Sequence, residues 1–223
     1  MTRAGATTTT TLVVALLAGG VAPARAQAGP QAGRIEIDAG PIWMGRSPLT
    51  SGDAQETTST AGAFRLFTTS TTLTEMIGAE VRIGVPLGRS LEVFGAGSFG
   101  TRQLRIAATD DVENAVAVTA AERVEQVTVT GGVLWFVSRS RVAPFVSAEA
   151  GMLRELHEER TLVEGGRVYL VGGGVEFLLS TRNGGVKALG ARVDARAVLR
   201  SKGFLLDGSR LSPAIGVSVF TRF

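Results

Sequence analysis

The sequence contains no cysteine, only one histidine, and no uninterrupted apolar run of about 20 residues after its first segment. Without cysteine the chain has neither a disulfide framework nor a catalytic thiolate. The lack of a long apolar run argues against a membrane protein built from helices. The formal charge is only +3, and the 23 basic and 20 acidic residues are spread along the chain. Nucleic-acid-binding proteins concentrate basic residues in a patch or stripe, so we expect no nucleic-acid partner.

Residues 1–26 have the three parts of a secretory signal peptide. Arg3 supplies a positive charge, residues 12–21 form a short apolar stretch, and Ala24-Arg25-Ala26 matches a cleavage site. An apolar stretch of roughly 10 residues is too short to cross a membrane as a helix. No cysteine follows it that could carry a lipid anchor. We therefore expect residues 1–26 to be removed on export and residues 27–223 to form one mature domain.

The remaining chain is rich in glycine, with 29 glycines in the full sequence, and it alternates between apolar and polar residues. This period of two is typical of β-strands. Each alternating segment reaches or exceeds the 9–11 residues, approximately, that a tilted strand needs to cross a bilayer. Eight such segments occur, at residues 34–44, 75–85, 91–106, 125–137, 143–155, 167–179, 186–200 and 212–223. The second segment could begin as early as Phe64, because residues 64–76 also alternate.

Short and long connections follow one another along the chain. The short ones, at residues 86–90, 138–141 and 181–185, contain Gly, Pro, Asn and Ser, as tight turns do. Long polar connections are found at residues 46–74, 107–123, 156–167 and 201–212. Outer-membrane barrels have short periplasmic turns and long extracellular loops. The pattern therefore predicts an all-β fold, a closed eight-stranded antiparallel up-and-down transmembrane β-barrel, with both chain ends on the periplasmic side.

One face of nearly every segment is apolar, and the opposite face is polar. In residues 75–85, Ile77, Val81 and Ile83 share one face, while Glu80 and Arg82 share the other. In a membrane barrel the polar face is the enclosed one. We therefore predict that six acidic and three basic side chains fill the lumen: Glu36, Asp38, Glu80, Glu149, Glu176, Asp194, Arg82, Arg192 and Arg196. Only residues 91–106 alternate too weakly for their faces to be assigned.

The last segment ends on an aromatic residue preceded by apolar residues at alternate positions: Phe223, Thr221, Val219, Val217 and Ile215. In hydrocarbon every backbone amide and carbonyl needs a partner, so we expect this strand to pair with the first. Together with the signal peptide and the unequal connections, residues 34–223 resemble the small eight-stranded outer-membrane β-barrel family of the OmpA/OmpX type, which is porin-like in architecture.

The resemblance implies a location in the bacterial outer membrane and contact with outer-membrane lipids and lipopolysaccharide. It also implies that the barrel-assembly machinery recognises the C-terminal strand. No sequence follows that strand to match the peptidoglycan-binding domain of longer family members, so we expect no tether to the cell wall. We expect a monomer.

The sequence gives little sign of a catalytic, cofactor or metal site, and we predict none. His157 could act as a general base in a barrel enzyme, but no serine motif accompanies it. Asp110, Asp111 and Glu113 lack the spacing of a calcium loop. Basic residues near the predicted outer rim could bind lipopolysaccharide phosphates: Arg102, Arg105, Arg154, Arg160, Arg167, Arg200, Lys202 and Arg210. Acidic residues nearby, including Glu155, Glu158, Glu159 and Glu164, could equally neutralise them.

We therefore predict a non-enzymatic outer-membrane barrel with a structural or surface-interaction role. Two alternatives remain open. A narrow passive channel requires a lumen without crossing charge pairs. An enzyme that modifies lipids or cleaves proteins requires a nucleophile beside His157.

Deletion of Phe223 should lower the amount of folded protein in the outer membrane, because an assembly signal and an interfacial aromatic side chain are lost together. Heat-modifiable migration of membrane fractions on gels measures this amount. Unchanged yield and migration would contradict the role assigned to the last strand.

Overall fold

The structure is a computed structural model that describes residues 35–58, 62–109, 118–156, 163–181, 185–201 and 210–223. These residues form ten antiparallel strands and contain no helix long and apolar enough to cross a membrane. The strands are β1 (Glu36–Met44), β2 (Ser47–Thr58), β3 (Gly62–Leu73), β4 (Met76–Pro86), β5 (Leu91–Thr109), β6 (Val118–Phe136), β7 (Val142–Leu156), β8 (Val163–Thr181), β9 (Ala188–Ser201) and β10 (Arg210–Arg222).

Eight of these strands form a closed wall. β1 pairs with β4 on one side and with β10 on the other, and β4 to β9 each pair with the next strand along the chain. Phe223 also donates its backbone N–H to the carbonyl of Ile35, at 3.0 Å. The predicted closed eight-stranded up-and-down barrel is therefore confirmed, including the pairing of its last strand with its first.

The register of the wall is staggered. A path of paired residues that starts at Glu36 on β1 passes once around the barrel through β4 to β9 and reaches Ser212 on β10. Met44, at the opposite end of β1 from Glu36, pairs with Ala214 on β10, and Ser212 lies beyond Ala214. The path therefore does not return to Glu36. Such a stagger requires the strands to tilt against the barrel axis.

The two ends of the barrel differ. At the end that we call the turn rim, residues 87–90, 137–141 and 182–187 connect adjacent strands, and β1 begins and β10 ends there. Gly88 has a φ of +102°, a left-handed conformation that glycine adopts without strain, which suits the tight turn between β4 and β5. The opposite end, which we call the loop rim, carries β2 and β3 and the connections at residues 110–117, 157–162 and 202–209.

The predicted loop over residues 46–74 is wrong, because most of it forms strands. β1 and β4 continue past breaks at Gly45–Arg46 and Thr74–Glu75 into the hairpin of β2 and β3, and β3 also pairs with β5. Phe64 lies in β3, so the alternation noted from that residue is confirmed as a strand. The many threonines favour strands in this segment. A hairpin beyond the membrane needs no apolar face, so its polar composition resembles that of a loop.

Outer and inner faces alternate as predicted. Ile77, Val81 and Ile83 are exposed on the outer surface, while Glu36, Asp38 and Arg82 are buried inside. β5, whose faces the sequence left unassigned, alternates as regularly as the others. Its inner row mixes apolar residues such as Phe94 and Leu104 with the charged Glu92 and Arg102, and its outer row contains glycines, so the usual contrast between the faces is missing.

The unequal rims also predict an orientation in the membrane. An epitope inserted between β2 and β3 should be accessible to antibody on intact cells, whereas one inserted at Ser138–Arg141 should become accessible only after permeabilisation. Whole-cell immunofluorescence checks both insertions. Labelling of the second epitope on intact cells would reverse the orientation.

Candidate functional site in the barrel interior

The barrel interior contains three clusters of charged side chains, and the one nearest the turn rim is centred on Arg192 of β9. Its Nη2 atom donates to Glu176 Oε1 at 2.5 Å and also to Glu36, and its Nη1 atom donates to Asp38. Glu92 lies 3.9 Å from the same guanidinium. Arg192 is completely buried, so four carboxylates from β1, β5 and β8 surround one desolvated cation.

Two more arginines complete this turn-rim cluster. Arg222, on the last strand, donates from Nε to Glu36 Oε2 at 2.5 Å and from Nη2 to Glu176 Oε2 at 2.6 Å. Arg139, in the turn between β6 and β7, donates to Glu92 at 3.1 Å. The cluster therefore holds four carboxylates and three guanidinium groups, so its negative and positive charges nearly balance.

The middle cluster contains Arg82 of β4 and Arg196 of β9. Arg196 donates to both oxygens of Glu80, at 2.9 and 3.0 Å, and lies 3.4 Å from Glu149 and 2.7 Å from Asp194. Arg82 donates to Glu80 at 2.9 Å and lies 3.8 Å from Glu149. These contacts join β4, β7 and β9 across the lumen, although β7 and β4 are not neighbours in the wall.

The loop-rim cluster consists of Arg102, Arg200, Glu155 and Gln126. Glu155 accepts hydrogen bonds from Arg102 at 2.7 Å and from Arg200 at 2.9 Å. Gln126 Oε1 accepts from Arg200 at 2.6 Å and also from Arg102. Both arginines are at most 3% exposed, so their predicted place among the lipopolysaccharide-binding residues is wrong. Arg200 continues the inner row of β9 beyond Arg196, and Arg102 lies in the inner row of β5, whose faces the sequence left unassigned.

Apolar side chains fill the space that the charged clusters leave. One group lies among β5, β6 and β7 near the turn rim and consists of Phe94, Ala96, Leu134, Phe136, Ala143 and Phe145. Another group lies on the side of β1, β8 and β9 and consists of Ile42, Met44, Met76, Leu153, Val168, Leu170, Val198 and Ala214. A third group, Leu49, Leu73, Leu104 and Val124, follows the loop-rim cluster towards the hairpin. The interior is therefore packed along most of its length.

Two cavities border these clusters. A cavity of about 460 Å³ is open at the turn rim, and its lining includes Arg139, Arg141, Glu176 and Arg222. An internal cavity of about 10 Å³ lies between the middle and loop-rim clusters. A space of that size holds roughly one water molecule. Arg82, Arg192 and Arg200, each at most 2% exposed, occupy the lumen between the two rims.

All nine charged residues predicted to face the lumen do so. The sequence-based interpretation missed five further charged groups inside: Glu92, Arg102, Glu155, Arg200 and Arg222. A signal existed for three of them, because Glu155 and Arg200 lie at even spacings from Glu149 and Arg196, and Arg222 alternates with the apolar row of the last strand. Glu92 and Arg102 lie in β5, whose faces the sequence left unassigned.

Several predicted site residues lie outside the described part of the chain. These are His157, the group Asp110, Asp111 and Glu113, and the rim residues Arg160 and Lys202. Among the residues that the structure does describe, no group of His, Asp or Glu side chains is arranged to hold a metal ion.

The closed wall, its apolar outer surface and its filled polar interior define a class: the chain has the fold of the small eight-stranded outer-membrane β-barrels. Among solved structures, it is similar to the outer membrane protein OprG from Pseudomonas aeruginosa, with a TM-score of 0.51 and 8% identity. That match covers 86% of this chain and 96% of the other. At this identity the likeness concerns the fold.

A second similar structure is Ail, the attachment invasion locus protein of Yersinia pestis, solved in complex with the heparin analogue sucrose octasulfate. Its TM-score is 0.44 and its identity 13%, over 86% of this chain and 99% of that chain. No protein-family profile matches the sequence, and no curated protein is similar enough to count as a relative.

Replacement of Arg192 by Ala should destabilise the folded barrel, because Glu36, Asp38 and Glu176 would lose the cation that they share. Removal of one partner from a buried charge pair costs about 3–5 kcal/mol. The temperature at which the folded band converts to the unfolded band on a gel should therefore fall clearly. Arg141→Ala, at an exposed arginine of the same rim, is the matched control and should leave this temperature almost unchanged. Equal transition temperatures for both variants would contradict the importance of the turn-rim cluster.

Proposed function

We propose that this protein is a closed, non-conducting barrel of the bacterial outer membrane with a structural or surface-interaction role. The observation that carries the proposal is the occupied lumen. Eight strands enclose a space only just wide enough for side chains. Here three charged clusters and three apolar groups occupy that space, and each charged cluster joins strands from different sides of the wall.

The outer surface supports insertion into a lipid bilayer. Ile77, Val129, Val171 and Val219 are each more than half exposed on the outside of different strands. Such a surface would be unfavourable in water and is suited to hydrocarbon. In this function outer-membrane lipids are the surrounding partners, and the barrel-assembly machinery inserts the chain through its last strand. The proposed assembly is a monomer, because the eight-stranded wall is closed without a second copy.

The loop rim is the part of the molecule proposed to act outside the cell. There the hairpin of β2 and β3 and the extended ends of β5 and β6 continue the wall beyond the apolar surface. The hairpin is rich in exposed or partly exposed hydroxyl and amide groups, including Ser51, Gln55 and Thr69. A polar extension of a rigid barrel is suited to contact with soluble or surface-bound partners.

The two alternative functions make different demands on the same interior. A passive channel needs a continuous aqueous path. Arg192 and Arg82, which are completely and almost completely buried, lie across the lumen and block such a path. A barrel enzyme needs an accessible nucleophile and a base held in fixed geometry. The interior groups described above are arginines, carboxylates and apolar side chains in mutual contact, an arrangement that supports a structural network more than a catalytic pair.

Recordings from planar bilayers test the proposal. The unmodified protein should give no steady single-channel current, because the buried ion pairs close the lumen. The double variant Arg192→Ala and Arg196→Ala removes the central cation of two clusters and should give a small leak. Folding of each protein is checked first by heat-modifiable migration. Large, steady currents from the unmodified protein would refute the closed barrel and favour the channel.

A further inference from the structure

The loop-rim cluster differs from the other two charged clusters in the sign of its charge. It holds two guanidinium groups, Arg102 and Arg200, but a single carboxylate, Glu155. The turn-rim cluster has four carboxylates for three guanidinium groups, and the middle cluster has three carboxylates for two. Those two clusters are therefore slightly negative, whereas the loop-rim cluster carries one positive charge in excess.

The two cations of the loop-rim cluster lie side by side and away from solvent. Both donate to the same pair of atoms, Glu155 Oε1 and Gln126 Oε1, and both are almost completely buried. Gln126 is neutral, so it supplies a hydrogen-bond acceptor but no charge. Like charges repel strongly where little water surrounds them, and a desolvated cation needs a counter-charge. The pair therefore favours a second anionic group.

Several donor atoms of this cluster point to the same requirement. Nε and Nη1 of Arg102 and Nε of Arg200 are buried, and none of them has an acceptor in the described part of the chain. The buried hydroxyl of Ser212 on β10 also lacks a partner there. Arg200 lies opposite Arg210, two residues from Ser212, so Arg200 and Ser212 are diagonal neighbours within reach of a long side chain. Buried donors without an acceptor cost free energy.

Other acids of the interior have partners of their own. Glu80 and Glu149 lie across the internal cavity of about 10 Å³ and contact the arginines of the middle cluster. Glu122 of β6 also has its own contact, and it lies four residues from Gln126, roughly 13 Å along the strand at about 3.3 Å per residue. The counter-charge for Arg102 and Arg200 therefore has to come from a ligand.

We propose that Arg102 and Arg200 bind a monovalent inorganic anion of the chloride type inside the loop-rim end of the barrel. One negative charge neutralises the excess, whereas a sulfate or phosphate dianion would reverse it. A spherical anion accepts charge-assisted hydrogen bonds from several directions, which suits donors on two guanidinium groups. The ligand has to be small, because the buried apolar group that contains Leu104 and Val124 follows the cluster towards the hairpin. This site goes beyond the function proposed above and does not depend on whether the barrel conducts.

The first test follows urea unfolding of the mature chain in phosphatidylcholine vesicles by the fluorescence of Trp43 and Trp135. Mixtures of sodium chloride and sodium gluconate keep the ionic strength constant while the chloride concentration rises, and gluconate is too large for the site. A ligand that binds only the folded state multiplies the folded-to-unfolded ratio by one plus its concentration divided by Kd. We expect the ratio to rise about tenfold for each tenfold increase in chloride above Kd. A constant ratio across the series would overturn the proposal.

A charge-supplying variant tests whether the effect belongs to this cluster. Gln126→Glu places a carboxylate where both arginines already donate, so it provides the second negative charge within the chain. The folded-to-unfolded ratio of this variant should no longer respond to chloride. Gln103→Glu, the same change on the exposed face of β5 beside Arg102, is the matched control and should respond like the unmodified protein. A chloride response retained by Gln126→Glu would show that the ion binds elsewhere and would overturn the proposal.

A direct location of the ion keeps the proposal testable if Gln126→Glu does not fold. Crystals of the unmodified protein are soaked in sodium bromide, and anomalous scattering locates the bound bromide. We expect one bromide in contact with the guanidinium groups of Arg102 and Arg200. Bromide found only at the protein surface would be an adventitious ion only, and that result would refute the site.

Discussion

The structure depends on one constraint, the need to pair every backbone N–H and C=O group that lies in hydrocarbon. Water is absent there, so a sheet with a free edge is not stable and the wall has to close. Closure takes place between β1 and β10, where Glu36 lies opposite Arg222 and Trp43 lies opposite Ile215. The seam joins the beginning of the described chain to its end, so β1 and β9 are paired along both edges only when the last strand is in place.

Closure with eight strands determines what the interior can contain. The enclosed space is only just wide enough for side chains, so the inner row of each strand faces the inner rows of the strands opposite. A charge in that space has little water around it and needs a partner. Arg192 of β9 meets Asp38 of β1, and Arg196 of β9 meets Glu80 of β4. The ion pairs therefore connect strands that share no backbone hydrogen bonds, and they support the wall from within.

The period of two made most of this fold predictable from the sequence. It assigned both faces of β4 and β9, because Ile77 to Val85 and Leu189 to Leu199 contrast strongly with the residues between them. It failed for β5, because Phe94 and Leu104 lie inside and Gly95 and Gly97 lie outside. Which carboxylate pairs with which arginine could not be predicted. The period of two assigns a side chain to one face of its strand, but it gives neither the stagger of the strands nor the position of the side chain along the barrel axis. β2 and its pairing with β3 were missed because strands outside hydrocarbon need no apolar row.

The contrast between the two faces also fixes the register of the strands. A shift of one residue in β9 would turn Arg192, Asp194 and Arg196 outwards and bring Val193 and Ala195 into the lumen. An arginine on the lipid face near the middle of the bilayer costs about 2–4 kcal/mol. At the same time Asp38 would lose its ion-pair partner, and Glu36 and Glu80 would each lose one of two. A slipped strand is therefore penalised on both sides of the wall, so the charged interior selects one register among those that backbone hydrogen bonding alone would permit.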